Sequence, residues 1–287
     1  MSQYRGRLAP SPTGYLHLGH AHTFLIAAQR ATEAGGTLVV RNEDLDRRRC
    51  RAQFVTAMLE DLRWLGIVWQ EGPDQGGTFG PYSQSERQSY YREAWQELYH
   101  LGLIYPCSCS RRDLALAASA PQDGDDEAIY PGTCRTKTRL LVKDPSDFNW
   151  RFRIPEGKTI QFRDGCQGDQ RFTAGTDFGD FLIWRKDGVP AYQLAVVVDD
   201  HAMKISEVVR GRDLLKSTAR QLLLCHALGF ARPRFYHCNL VCDDRGVRLA
   251  KRHDALSLRR LRENGLMPEE IRTRVLSLGQ LRENSPH

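Results

Sequence analysis

The first forty residues restrict the fold more than any other stretch of the chain. Tyr4–Leu8 reads as a short strand, Pro10-Ser11-Pro12-Thr13-Gly14 is turn chemistry, and a helical pattern runs from about Leu18 to Glu33 before stopping at Gly35-Gly36. Thr37–Arg41 then reads as a buried strand and Arg48–Leu65 as a second helix. Strand, helix, strand, helix in that order predicts a parallel sheet with crossover helices. The same junction puts His17-Leu18-Gly19-His20 on the first turn of a helix. Free N–H groups and the positive end of the helix dipole suit a phosphate there. Two imidazoles can donate hydrogen bonds to a phosphate whose charge grows in a transition state, and Gly19 leaves room for a nucleotide ring. Taken alone the pattern fits two surface histidines equally well, and His22 adds a metal reading.

Further along, residues 107–165 carry three cysteines, a loop rich in Ala, Asp and Pro, and short extended segments at Asn149–Ile154 and Thr159–Arg163. This reads as an insertion of small α+β character. The α/β alternation resumes with Phe181–Arg185, Ala191–Val198 and a helix around Leu214–Leu228. After Arg248 the chain is mostly helical, with apolar positions at Leu256, Leu258, Leu261, Ile271, Val275 and Leu278. The organisation expected is therefore 1–106 and 166–240 as two halves of one catalytic domain, 107–165 as the insertion, and 241–287 as a loop plus a helical stub.

Charge adds a clue at the end. The net charge is +6, and ten Lys/Arg against five Asp/Glu between Arg245 and His287 account for +5 of it. A phosphate-rich partner fits, and so does a solvated helical surface. Within this stretch, Arg248-Leu249-Ala250-Lys251-Arg252 follows a strand candidate at Phe235–Cys242. A basic loop after a strand can meet the phosphates of a nucleotide, with Lys251 neutralising a triphosphate as pyrophosphate leaves. No apolar run approaches the ~20 residues that cross a bilayer, and Met1–Arg7 leads into no signal-peptide core. The reading is cytoplasmic, with the eight cysteines reduced and clusters of them pointing to metal or catalysis.

Arg7-Leu8-Ala9-Pro10-Ser11-Pro12-Thr13-Gly14-Tyr15-Leu16-His17-Leu18-Gly19-His20 resembles the signature of the glutamyl-tRNA synthetases, class I aminoacyl-tRNA synthetases. Arg41–Asp46, Tyr192–Asp200 and Val209–Leu215 continue the match in order, and Arg248–Arg252 falls where the family's KMSKS loop belongs. Leu18 and His20 stay within the family's range at the HIGH motif. Ala250 replaces the KMSKS serine and Arg248 its first lysine, whereas Lys251 is kept. The resemblance implies a Rossmann-like parallel sheet interrupted by a zinc-bearing insertion. It also implies ATP at His17, Gly19, His20 and Lys251, with magnesium, and catalytic work by His17, His20 and Lys251. L-glutamate would be held by Arg7, Ala9, Ser11, Glu43, Tyr192 and Arg210. The chemistry of the residues agrees, because Arg210 can pair with a carboxylate in a bidentate fork and Glu43 can take an ammonium. Ordinary packing and a surface ion pair are the other reading of Tyr192 and Arg210.

Only 35 residues follow Arg252, too few for the anticodon-binding domain of a full-length family member. The expectation is a truncated subgroup that attaches glutamate to the queuosine base of tRNA(Asp). A minimal enzyme charging a tRNA 3′ end and a non-catalytic RNA-binding fragment are the alternatives. Neither a membrane nor an obligatory protein partner is implied. Cys107-Ser-Cys109 and Tyr130-Pro-Gly-Thr-Cys134 offer three thiolates for one structural tetrahedral zinc, or three unconnected thiols. By resemblance the fourth ligand is the Tyr130 oxygen, with Glu127 or a water as the other choices.

Overall fold

A computed structural model describes residues 3–109, 129–136, 144–241 and 257–280. Strand β1 (Arg5–Leu8) pairs in parallel with β2 (Thr37–Val40) through helix α1 (Leu18–Glu33), as the opening junction predicts. Helix α2 (Ala52–Trp64) starts later than expected from Arg48. The Arg49 and Cys50 N–H groups turn back onto the Asp46 carbonyl, and Arg51 is extended. Helix α3 (Gln88–His100) then leads into β3 (Ile104–Cys107).

Among the described residues the strands form three hydrogen-bonded ladders, of two, three and four strands, rather than one all-parallel sheet. Strand β4 (Asn149–Phe152) lies antiparallel between β3 and β7 (Phe181–Trp184). Strand β5 (Thr159–Asp164) is antiparallel to β6 (Gly168–Thr173) and touches β9 (Arg234–Cys238) in parallel, Asp164 opposite Phe235. The extended segments read as part of the insertion therefore pair with strands on its far side in sequence. Strand β8 (Glu207–Gly211) pairs in parallel with β9. Ala191–Val198 forms the body of helix α4 (Tyr192–Ala202), and helix α5 (Leu215–Ala227) connects β8 to β9. The Ser206 N–H donates to the Arg5 carbonyl at 2.9 Å, so β1 has β2 on one side and the start of β8 on the other.

Two apolar clusters carry this arrangement. One packs Trp95 of α3 edge-on against Trp150 of β4 at 5.0 Å and extends through Trp184 to α4 and α5. The other joins β1, β2, α1 and α2 to helices α6 (Leu258–Glu263) and α7 (Pro268–Gln280). Leu258, Leu261, Ile271 and Val275 are buried there, so the helical stub completes the core around α1. Leu256 lies outside the described residues and the side chain of Leu278 is not described. The Leu258 N–H donates to the Leu16 carbonyl at 2.7 Å, and Ser257 bridges His17. The polypeptide thereby returns to the turn before α1. Among the described residues no helix is long and apolar enough to cross a membrane.

One close approach sets the spacing at the base of this unit. A Cβ on Gly36 would lie 2.5 Å from the Tyr4 carbonyl oxygen and 2.6 Å from its ring, while that same carbonyl accepts the Thr37 N–H at 2.9 Å. Gly36→Ala is expected to destabilise the fold by about 1–3 kcal/mol through overpacking. A urea midpoint equal to that of the unmodified protein would show that β1 can shift without cost.

Candidate active site

The parallel strands β1, β2, β8 and β9 end at one face, where α/β sheets bind ligands. A cavity of about 690 Å³ opens there. Arg7, Ala9, Ser11, His17, Gly19, His20, Glu43, Tyr192 and Arg210 all line it. Thus nine of the ten residues expected for glutamate and ATP share one cavity. The tenth, Lys251, lies with the rest of Arg248–Arg252 outside the described residues. Val241, just before that segment, lines the cavity, and Ser257, just after it, bridges His17.

The two histidines cap their own helix. His17 Nδ1 accepts from the Gly19 N–H at 3.1 Å, and His20 Nδ1 accepts from the His17 N–H at 3.3 Å. A capping box of this form satisfies backbone donors reciprocally. It also fixes the tautomers, because a ring nitrogen that accepts cannot carry the proton, which must sit on Nε2. The rings stack with centroids 3.8 Å apart. Burial lowers the His17 pKa; burial followed by the proximity of His17 brings His20 down to about 3. Both imidazoles are therefore neutral Nε2–H donors. His22 turns away: it is buried, lines a separate cavity beside Leu276, and belongs to no metal-ligating group among the described residues.

Below the cavity lies a buried ionic network. Arg41 contacts Glu43 at 2.9 Å and Asp200 at 2.6 Å, Arg7 lies 3.6 Å from Asp200, and Arg87 pairs with Asp199 at 2.6 Å. Gln84 and Tyr91 also donate to Asp199. Burial opposes charge on Arg41, but Asp200, Glu43 and Asp199 outweigh it and hold the guanidinium firmly protonated. Glu43 is fixed by Arg41 on one side and by its own N–H donating to the Pro10 carbonyl at 3.0 Å. Its carboxylate faces the cavity from a preset position.

Arg210 differs in kind. Its Nη2 donates to Thr218 Oγ1 at 2.7 Å and Gln221 Oε1 at 2.8 Å, its Nε to His237 Nε2 at 3.2 Å, and its Nη1 to the Tyr192 hydroxyl at 3.3 Å. Among the described residues these hydrogen-bond partners are neutral, which leaves the cation for an anionic group in the cavity. Sequence reasoning missed Asp199 and Asp200 as network members, and Thr218, Gln221 and His237 as supports. Asp199 and Asp200 lie in the Tyr192–Asp200 stretch and Thr218 and Gln221 in the helix read around Leu214–Leu228, but nothing there marks which side chains turn inward.

A second cluster stands apart, since none of its residues lines this cavity. The thiols of Cys107, Cys109 and Cys134 lie within 4.8 Å of one another, and they form the one such group among the described residues. The Tyr130 hydroxyl is 3.5 Å from both Cys107 and Cys109, and Cys109 is 3.5 Å from Cys134. Zinc with thiolates at about 2.3 Å and an oxygen at about 2.0 Å separates neighbouring donors by about 3.5–3.8 Å, so the four groups fit one tetrahedral ion. The Cys134 N–H donates to the Tyr130 oxygen at 2.8 Å, and the Arg151 guanidinium covers its ring at 3.8 Å. The backbone N–H favours negative charge on that oxygen, against burial and the neighbouring thiols, which push the phenol well above its ordinary range. Glu127, the other protein ligand considered, lies outside the described residues.

A mixed α/β fold with two imidazoles at a helix N-terminus and a charged cavity at the strand ends defines a class I synthetase catalytic domain. The chain belongs to the family "tRNA synthetases class I (E and Q), catalytic domain", whose pattern matches residues 3–285. Within it, the chain is 48% identical over 271 residues to the Glutamyl-Q tRNA(Asp) synthetases of Symbiobacterium thermophilum and Nitratidesulfovibrio vulgaris. Those matches cover 93% of this chain and 83% of each relative. A Glutamate–tRNA ligase 2 of Syntrophus aciditrophicus is 42% identical over 96% of this chain, but the chain spans only 57% of that protein. The crystal structure of a glutamate tRNA ligase from Elizabethkingia meningosepticum in complex with its amino acid superposes with a TM-score of 0.79 at 28% identity. It is matched over 96% of this chain and 60% of its own length.

The capping box makes a pH prediction. His20 is neutral in the fold but takes a proton near its ordinary 6.5 once unfolded. Its contribution to stability is complete above pH 6.5 and is lost as pH falls toward 3. Nitrogen-15 spectra of the imidazoles should show His20 protonated on Nε2 only and unchanged from pH 8 to pH 5. A resonance titrating near 6.5 would refute the cap.

Proposed function

We propose that this chain activates L-glutamate with ATP to glutamyl-adenylate and transfers the glutamyl group to the queuosine base in the anticodon of tRNA(Asp). The observation that carries the activation step is the single cavity joining a pair of neutral imidazole donors to Glu43 and Arg210. His17 and His20 present Nε2–H groups beside the α1 N-terminus, where the charge on the α-phosphate grows during attack. Glu43 takes the substrate ammonium, while Arg210 and Tyr192 take its side-chain carboxylate, which leaves the α-carboxylate directed at the phosphate. Arg7, Ala9 and Ser11 form the wall between these ends. Lys251 neutralises the departing pyrophosphate, and magnesium accompanies ATP. No enzyme nucleophile is needed, since orientation and charge stabilisation suffice.

The acceptor is proposed from the relatives. The 48% identity to proteins named Glutamyl-Q tRNA(Asp) synthetase, extending over 83% of their length, supports queuosine rather than a terminal ribose. Cys107, Cys109, Tyr130 and Cys134 would hold one zinc. When bound it cross-links the end of β3 to the turn containing Cys134, a structural role.

Two experiments test this reading. The purified enzyme is expected to exchange pyrophosphate into ATP with glutamate and without tRNA, and Lys251→Ala to slow that exchange about 10²-fold or more. Radiolabelled glutamate should then stay with an anticodon-loop fragment after nuclease digestion and be absent from queuosine-lacking tRNA. Label on the terminal adenosine of tRNA(Glu) would identify a minimal glutamyl-tRNA synthetase instead. Separately, metal analysis should find near-stoichiometric zinc that is lost from a Cys107→Ser/Cys109→Ser variant. Full retention in that variant counts against the assigned ligands.

A further inference from the structure

We infer that the buried Asp164–His237 pair is a positioning element for Arg210, which holds the guanidinium as a carboxylate receptor and so sets the choice of an acid over an amide substrate side chain. The inference rests on the reading of this cavity as the glutamate site. Its geometry does not. An arginine Nε–H can only donate, so His237 Nε2, 3.2 Å away, must present its lone pair. The proton of a neutral imidazole then sits on Nδ1, where it donates to Asp164 Oδ2 at 2.6 Å. Asp164 is itself fixed. Its Oδ1 accepts the N–H groups of Cys166 at 2.9 Å, Gln167 at 2.8 Å and His237 at 3.1 Å. All three links are buried: Asp164 is 3% exposed, His237 0% and Arg210 4%.

The other face of the guanidinium is braced in the same neutral way. Gln221 donates its amide N–H to Gln193 at 3.1 Å, and Gln193 donates to Ser217 at 3.1 Å, so the Gln221 oxygen is left to face Arg210. With Nε and Nη2 committed to neutral acceptors, Nη1 and the Tyr192 hydroxyl are the polar groups of this cluster left for the cavity. A cation whose protein partners are neutral keeps its attraction for an anionic ligand, and an amide cannot replace that charge.

Asp164→Asn is the informative substitution. Three backbone N–H groups require an oxygen at Oδ1, so the new NH2 must face His237. His237 Nδ1 then has to accept and its proton moves to Nε2, where Thr218 Oγ1 at 3.0 Å can accept it but the Arg210 Nε–H loses its acceptor. His237→Gln retains an acceptor near the Nε2 position and has no tautomer to lose.

We expect nitrogen-15 spectra of the unmodified protein to show His237 protonated on Nδ1, and those of Asp164→Asn to show the proton on Nε2. In glutamate-dependent pyrophosphate exchange, Asp164→Asn should raise KM for glutamate about tenfold or more, leave KM for ATP unchanged, and reduce the preference for glutamate over glutamine. His237→Gln should stay within about threefold of the unmodified enzyme, and Asp164→Asn added to it should cost no more than that. An Asp164 that merely stabilised its loop would move both KM values, or would impair the His237→Gln background equally; either result overturns the inference. Should Asp164→Asn fail to fold, His237→Asn replaces it: that variant offers Arg210 no acceptor, and retention of glutamate KM would be equally fatal. Absence of glutamate-dependent exchange in the unmodified enzyme overturns the functional reading instead, and the nitrogen spectra test the hydrogen-bond chain independently of it.

Discussion

The ion cluster centred on Arg41 and Asp199 is the constraint on which the cavity depends. Arg41 closes the end of β2, Asp199 and Asp200 sit inside α4, Arg7 belongs to β1, and Arg87 leads into α3. Four elements that are distant in sequence therefore meet at one set of charges. Such a cluster adds little net stability over an apolar core of equal volume, because desolvating the ions consumes most of their attraction. Its asymmetry matters more. Removing a single member leaves a buried charge without its partner, which costs about 3–5 kcal/mol. Strand ends held this way cannot drift singly, and Glu43 and Arg7 are carried into the cavity as fixed points.

The N-terminus of α1 shows a related economy. Helix N-termini usually recruit Ser, Thr, Asp or Asn as caps. Here His17 occupies the cap and His20 completes the box, so the side chains aimed at the cavity are also the ones that terminate the helix. The arrangement commits each Nδ1 to the backbone and each Nε2–H to the cavity. Burial supports it by keeping both rings uncharged. Neutral donors favour phosphate without binding it as tightly as a fixed cation would, which suits a group whose charge must rise and then be released.

Much of this was legible in the sequence wherever a local pattern carried it. The strand–turn–helix opening, the HxGH turn and the apolar spacing of the last helices depend on neighbours a few residues apart, and those elements form as read. Failures came where pairing is long-range. Thr159–Asp164 looks like a piece of the cysteine-bearing insertion, yet it meets β9 some seventy residues later, where Asp164 also bonds His237. Asn149–Phe152 likewise lies between β3 and β7. The Cys-x-Cys spacing showed which thiols could meet. The spacing alone did not single out the Tyr130 oxygen, which the family resemblance pointed to and the fold brings to 3.5 Å from two sulfurs.

The two ends of the cavity use electrostatics differently, and the difference follows from what each must do. On the proposed reading the amino acid meets charges with preset partners: Glu43 is tied to Arg41, and Arg210 is braced by His237, one amide and two hydroxyls. Such groups cost no reorganisation on binding and discriminate by leaving a buried polar atom unpaired when the wrong side chain enters. On the same reading, the nucleotide end offers neutral imidazoles and a helix terminus. Those groups stabilise charge that develops during reaction rather than charge already present. In the proposed function, a rigid end that selects and a graded end that responds to chemistry would let the same cavity bind its amino acid specifically and still release the products of activation.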